Sequence, residues 1–267
     1  PEALGANLAV ATLSDLFASG ANPAWFMQSV SLPKKDDPAF ISGLSAGIGR
    51  VVRETGCSLC GGDFGSAETW RFCGFAMGPV QRPITRVIPS EPQTLWVTGD
   101  LGDANVAALS GSPTPRFELR LREAEFIRSS ATACIDTSGG LFDALWMLHV
   151  LNPGMRLEVD IDKVPMAAGV TDAARSIGFP VEAALLGGAG EYELLFCLPA
   201  SAVDPGICAA CIGEVQPNSA PGLIVRRDGR FLNVIESPPC ARNVASVREH
   251  VQDVMLTAER LFGQVPH

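Results

Sequence analysis

Four stretches of this chain set carboxylates beside glycines or hydroxyls, in patterns suited to holding phosphate and a hard cation. Leu13-Ser14-Asp15 closes an apolar segment with an acid. Gly61-Gly62-Asp63-Phe64-Gly65 joins glycines, which allow close backbone approach, to a carboxylate that could hold magnesium. Ile135-Asp136-Thr137-Ser138-Gly139-Gly140-Leu141 follows an acidic strand end with hydroxyls and glycines at a helix start, where phosphate binds well. Leu186-Gly187-Gly188-Ala189-Gly190-Glu191-Tyr192-Glu193 is a glycine loop with two acids and the only tyrosine. Each has a plainer alternative: a capping carboxylate at Asp15, a ligand-free Gly-Asp turn, a helix capped by Thr137 or Ser138, a turn entering a buried strand.

Other chemistries find less support. No Gly-Lys-Ser or Gly-Lys-Thr occurs, so there is no Walker-type phosphate loop, and the protein-kinase signature set is missing. The histidines, His149, His250 and His267, neighbour no nucleophile motif, and His149 lies in an apolar helical run as a structural residue. Cys57/Cys60 and Cys208/Cys211 each have half-zinc-site spacing. Cys57-Ser-Leu-Cys60 reads as strand, however, where residues three apart face opposite ways, and the eight cysteines read as reduced, mostly buried thiols. A net charge of -9 repels a phosphate backbone and argues against nucleic acid as partner. With no uncharged apolar run of about 18 residues and no signal-peptide pattern, the expectation is a cytoplasmic protein without membrane spans.

The elements that must position these motifs can be read from periodicity. Apolar residues recur at helical spacing over Leu4 to Ala18; Trp25 to Leu32 is a strand, and Pro38 to Thr55 a helix that Asp36 or Asp37 could cap. A strand to Cys60 should end in the Gly-Gly-Asp turn, with another strand over Trp70 to Val80. Pro83, Pro89 and Pro92 then crowd an aperiodic segment, which sets a boundary between domains 1–90 and 91–267. Beyond it come a strand at Thr94 to Thr98, a turn at Gly99 to Asp103, and helices at Ala104 to Leu109 and Arg116 to Ala133. Cys134 to Asp136 is a strand end and Leu141 to Val150 a helix; strands near Leu157 to Ile161 and Tyr192 to Leu198 flank a helix near Thr171 to Ile177. Strands at Ile212 to Val215 and Leu223 to Arg227 and a helix over Val244 to Phe262 finish the chain. Interleaved strands and helices mean an α/β or α+β layered fold, and 47% hydrophobic against 18% charged residues is ample for its core.

Taken in order, the motifs resemble thiamine-monophosphate kinase within the AIR-synthase (PurM-like) superfamily. Leu13-Ser14-Asp15 with Gly20-Ala21-Asn22-Pro23-Ala24-Trp25, Gly61-Gly62-Asp63, Thr85-Arg86, Val97-Thr98-Gly99, Pro113-Thr114-Pro115-Arg116, Ile135 to Leu141 and Gly188 to Phe196 match that family collinearly. The resemblance implies a two-domain subunit that pairs its N-terminal sheet across a homodimer. It further implies ATP and several Mg2+ ions between the domains, and transfer of the γ-phosphoryl group to thiamine monophosphate. By the same resemblance Asp15, Asp63 and Asp136 hold metal, and Gly61, Gly62, Asp63, Thr137 and Ser138 contact the nucleotide. Asp63, Asp136 and Arg86 serve catalysis, with Arg86 stabilising charge, and Glu191 and Tyr192 meet the substrate.

The departures fall on the same motifs. Where the family has Asp-x-Ser-Asp-Gly-Leu, this chain has Gly139 in place of the second carboxylate. Ala189, Gly190 and Glu191 replace Gly, Glu and Asp of the family's loop, and Asn7 and Thr12 stand for its Lys and Asn. A Gly-Asp-Asp segment and an Asp-bearing strand that the family places before this point have no counterpart here, so the expectation is a truncated N-terminal domain or a fragment. A sibling acting on another small metabolite, or a nucleotide-binding protein without turnover, are the alternatives.

Overall fold

The computed structural model describes residues 1–33, 37–217, 220–240 and 246–263. The chain divides into two compact units, one of Pro1–Ile84 with Arg116–Ser129, the other of Thr85–Pro115 with Ser130–His267. Arg116–Ser129 thus belongs with the first unit although it follows the proline-rich segment.

In the first unit, α1 (Glu2–Ala18) buries Ala6, Ala9, Val10, Leu13 and Phe17, a single stripe at helical spacing. The second helix, α2 (Pro38–Glu54), buries Leu44, Ile48, Val51 and Val52, and Asp37 caps it by accepting the Ala39 N–H at 2.9 Å. They pack with a three-stranded sheet of order β2-β1-β3, in which β1 (Trp25–Leu32) runs parallel to β2 (Ser58–Ser66) and antiparallel to β3 (Arg71–Met77). Phe26, Val30 and Leu32 are buried, whereas Trp25, Met27, Phe75 and Met77 are exposed, so this sheet keeps an uncovered apolar surface. Between β1 and β2 the register slips: Phe26 pairs with Leu59 but Gln28 with Gly62, which sets Cys60 and Gly61 together opposite Met27. This bulge uses a backbone angle open to glycine, φ 122° at Gly61.

The expected turn at Gly61-Gly62-Asp63 is therefore corrected to continuous strand. The same unit corrects the helix expected over Arg116 to Ala133. Helix α4 covers only Leu121–Ser130, because the preceding segment is drawn out to α1, where the Asn7 side-chain oxygen accepts the Phe117 N–H at 2.9 Å. At its far end Thr132 donates its N–H to the Cys197 carbonyl and residues from Ala133 onward join a sheet.

The second unit is built on seven strands: β4 (Gln93–Thr98), β5 (Ala133–Asp136), β6 (Met155–Asp160), β7 (Leu194–Pro199), β8 (Ala209–Pro217), β9 (Gly222–Arg227) and β10 (Arg230–Val234). Their order is β10-β9-β6-β8-β4-β7-β5, and only β6 with β9 is parallel. The fold is thus mixed α/β with an α+β layering. Helices α3 (Asp103–Ser110), α5 (Leu141–Leu151), α6 (Val170–Ser176), α7 (Ala183–Leu186) and α8 (Val247–Phe262) accompany it. Leu141, Leu145 and Leu148 of α5 join Leu95, Leu157, Leu195 and Val215 in one core, together with Val254 and Ala258 of α8. α8 is capped by Ser246, whose hydroxyl accepts the Glu249 N–H, and Val244 lies outside the described residues.

Candidate functional site

β5 delivers Asp136 to the end of the sheet, where its side chain is 3% exposed, and α5 begins five residues later. The turn between them is tied to the glycine loop before β7. The Thr137 N–H donates to the Glu193 carbonyl at 2.8 Å, its hydroxyl accepts the Glu193 N–H at 3.0 Å, and its carbonyl accepts the Glu191 N–H at 3.2 Å. Ser138 is exposed, and its hydroxyl donates to Asp136 Oδ1 at 3.3 Å. Asp136, Thr137 and Ser138 therefore form one held corner at a helix start, as the sequence order implied.

The glycine loop is organised by buried acids. Glu193 is 4% exposed and its Oε2 accepts the Thr98 hydroxyl at 2.5 Å, while that hydroxyl also accepts the Leu194 N–H at 2.8 Å. Glu191 turns inward: both carboxylate oxygens lie 2.7 Å from the Gly102 N–H that opens α3, and Oε1 is 3.4 Å from Asn105 Nδ2. Burial pushes its carboxyl up to about 8, against the lowering effect of the Gly102 N–H. Asn105 Oδ1 also accepts the Ala189 N–H at 2.9 Å, so the loop is fastened to α3 at two points. Tyr192 adopts a left-handed conformation, φ 57°, so the strand expected from Tyr192 begins instead at Leu194. Burial also raises Asp103, in the first turn of α3.

Arg86 is exposed on a segment laid along β5, where the Thr85 carbonyl accepts the Cys134 N–H at 3.1 Å. A buried residue that sequence reasoning passed over holds this segment. Asn152 accepts the Ile88 N–H at 2.8 Å and donates through Nδ2 to the carbonyls of Arg86 at 2.9 Å and Leu148 at 2.7 Å. In the first unit, Asp15 is exposed on α1, and Asp63 is exposed on β2 in register with Ser29. Gly61 and Gly62 precede Asp63 on the same strand, Gly62 in register with Gln28.

Magnesium and a nucleotide are implied by the resemblance, and the residues present bear on the fit. Among the described residues no three His, Cys, Asp or Glu side chains converge into a metal cage. Magnesium does not require one, since it is commonly held by one or two carboxylates together with phosphate oxygens and water. A carboxylate at a strand end, with hydroxyls and a helix start beside it, is such a half-site, so the corner around Asp136 fits the group. Position 139 adds to it: an ideal Cβ on Gly139 would meet the Asp143 carboxylate, with Cγ only 2.7 Å away. Cys57 is buried just before β2 and Cys60 is exposed on it, while Cys208 and Cys211 run into and along β8; neither pair enters a metal cluster among the described residues.

Comparison with known proteins places these features in a lineage. Residues 1–80 match the family model for AIR synthase related protein, N-terminal domain. The chain is 30% identical over 243 residues to a thiamine-monophosphate kinase of Pyrococcus horikoshii, covering 86% of this chain and 76% of that one. Its fold is also that of AaThiL complexed with AMPPCP and TMP, with a TM-score of 0.78, 24% identity, and 89% and 80% of the two chains covered. HypE of E. coli, a hydrogenase maturation protein, shares the fold at a TM-score of 0.74 and 20% identity, covering 90% of this chain and 82% of that one. The fold alone therefore does not choose the substrate.

Proposed function

The chain belongs to the thiamine-monophosphate kinase family, and from that premise we propose that it transfers the γ-phosphoryl group of ATP to thiamine monophosphate, giving thiamine diphosphate and ADP, with Mg2+ as cofactor. The observation that carries this reading is the 30% identity to a thiamine-monophosphate kinase sustained over 86% of the chain. A transfer between two anions needs charge neutralised and oxygens aligned, which Mg2+ supplies when bound. Asp15, Asp63 and Asp136 are the carboxylates assigned to it. Gly61, Gly62, Thr137 and Ser138 lie against nucleotide phosphates, and Ser138 offers an exposed hydroxyl at the start of α5. Arg86, steadied through its own carbonyl by Asn152, balances the charge that develops during transfer. The acceptor is already a phosphate anion, so no general base is assigned. Tyr192 borders the substrate, whereas Glu191, expected to meet it too, is buried with its carboxylate on the Gly102 N–H and fastens the loop behind it.

The same reading assigns residues 1–90 to an AIR-synthase-like N-terminal domain and 91–267 to its C-terminal counterpart. It makes the exposed Trp25, Met27, Phe75 and Met77 the face of a homodimer. No described helix is long and apolar enough to cross a membrane, and a cytoplasmic location is part of the proposal. The test is direct: purified protein, ATP, Mg2+ and thiamine monophosphate should yield thiamine diphosphate above a no-enzyme control. A second reading, nucleotide binding without turnover, is favoured by Gly139 and Gly190, which put glycine where the resemblance leads one to expect carboxylates. Nucleotide binding that is weak or indifferent to Mg2+, with no thiamine diphosphate formed, would establish that second reading and overturn the first.

A further inference from the structure

Resting on the kinase reading above, we propose that Thr137 is a positioning residue: it holds Tyr192 in a strained backbone conformation that sets the phenol ring against the Asp136–Ser138 corner as one wall of the acceptor site. Tyr192 has φ 57°, a region where a bulky side chain is an outlier and glycine would sit without strain. Such strain persists only where the surrounding bonds over-determine it. Thr137 supplies those bonds on both sides of the tyrosine. Its carbonyl accepts the Glu191 N–H at 3.2 Å, its N–H donates to the Glu193 carbonyl at 2.8 Å, and its hydroxyl accepts the Glu193 N–H at 3.0 Å. Thr137 is itself 0% exposed, so its polar groups are committed to the loop.

Gly190 completes the arrangement. An ideal Cβ there would stand 2.5 Å from the Ser138 carbonyl oxygen, which is main chain and cannot swing aside, and 3.0 Å from Cζ of Tyr192. The loop has therefore closed onto the corner as far as a glycine permits, and the tyrosine ring lies across Gly190 beside Ser138. A turn that merely led into β7 would place glycine at 192 and avoid the strain; here the aromatic ring occupies the strained position and the glycine lies beneath it. The competing role for Thr137 is that of a strand-end residue that satisfies buried main-chain groups without setting the ring. Tyr192 separates the two roles, because it is the only tyrosine of the chain and a label on tyrosine reports on it alone.

The experiment produces the full chain with 3-fluorotyrosine and follows its single 19F resonance, with steady-state kinetics and the unfolding temperature in parallel. Thr137→Val keeps the side-chain shape but leaves the Glu193 N–H without its acceptor, and should move or split the resonance by more than its linewidth. Thr137→Ser, which restores that acceptor, should return the resonance to its place. In Thr137→Val the KM for thiamine monophosphate should rise about tenfold, the bias released when strain of this kind is lost, with kcat within about threefold and a smaller rise in the KM for ATP. Gly190→Ala, with Thr137 intact, should also move the resonance, since the loop is pushed off the Ser138 carbonyl. A displaced resonance in Thr137→Val, its return in Thr137→Ser and the raised acceptor KM support the assignment. A lower unfolding temperature with the resonance unmoved, or a KM effect confined to ATP, overturns it. Should Thr137→Val fail to fold, the other two variants decide: a resonance kept in Thr137→Ser and moved in Gly190→Ala supports the assignment, and one unmoved by Gly190→Ala overturns it. If the unaltered chain makes no thiamine diphosphate, the kinase reading falls while the resonance still judges Thr137; if it does and the resonance ignores these variants, only the role of Thr137 falls.

Discussion

Replacing Glu191 with glutamine removes a buried acid whose ionisation the fold resists. Its folded value, about 8 against an ordinary 4.5, fixes both the sign and the window of the effect. Below about pH 4.5 the group is protonated in the folded and the unfolded chain, and its contribution to stability is complete. As pH rises toward 8 the unfolded chain releases a proton that the folded chain retains, so stability falls and the contribution is lost through the folded value. At about 1.4 kcal/mol per pH unit the span sets a ceiling of about 5 kcal/mol. The value of about 8 already contains the opposing effect of the Gly102 N–H, which favours the charged form, so the figure stands as an order-of-magnitude upper bound. The carboxylates of Asp103 and Glu193 add to the rise, and the glutamine variant removes their repulsion of a charged 191 together with the charge itself. Urea unfolding of the unaltered chain and of Glu191→Gln between about pH 5 and about pH 8.5 measures that difference directly. The glutamine variant should gain relative stability steadily across the window. Parallel pH profiles would refute the claim that burial at the α3 start holds this carboxyl protonated.

Asn152→Ala should cost about 2–4 kcal/mol by chemical denaturation, since it leaves the Ile88 N–H and the Arg86 and Leu148 carbonyls without their partner, and thiamine diphosphate formation should fall with it as the Arg86 segment loosens. Thr98→Val should destabilise by about 1–3 kcal/mol, read as a lower unfolding midpoint, because Glu193 loses the hydroxyl at 2.5 Å and Leu194 N–H its acceptor. Alkylation followed by mass spectrometry should label exposed Cys60, Cys73 and Cys208 in the native chain but reach Cys134 and Cys197 only on unfolding, since burial both covers those thiols and raises them, Cys197 to about 12. Phe75→Lys should reduce self-association in analytical ultracentrifugation while leaving the circular dichroism spectrum unchanged, because the side chain is 55% exposed on the apolar sheet surface.

Elements governed by local chemistry were legible. β1 matches its expected span, Asp37 caps α2 as foreseen, and α5 follows from an apolar run of helical length. Where long-range bonds decide, periodicity misled: residues 116–120 carry a helical pattern, yet Phe117 gives its N–H to Asn7, 110 positions away. β10 was missed although a signal was present. Asp228-Gly229, with φ of 48° and 74°, is a two-residue turn of the kind that joins antiparallel strands. At the site, Asp136, Thr137 and Ser138 came together in the order the motif suggested. Asn152 and Asn105 did not stand out, and Thr98 did so only within Val97-Thr98-Gly99 and not for its bonds, because these roles rest on partners 64 to 96 residues distant that no local pattern displays.

The slip beside Gly61 makes the orientation of Asp63 a matter of counting. With two residues of β2 set against Met27, Asp63 pairs with Ser29. Were the strand to run regularly without losing a residue, Asp63 would come opposite Val30, on the side where that valine is 3% exposed, and a proposed metal carboxylate would be turned inward. Omitting Gly61 altogether would instead leave Leu59 opposite Phe26 and Asp63 opposite Ser29. In this strand a deletion preserves the address of the acid, whereas a bulky substitution that flattens the chain changes it, so the odd residue works as a parity bit for the site.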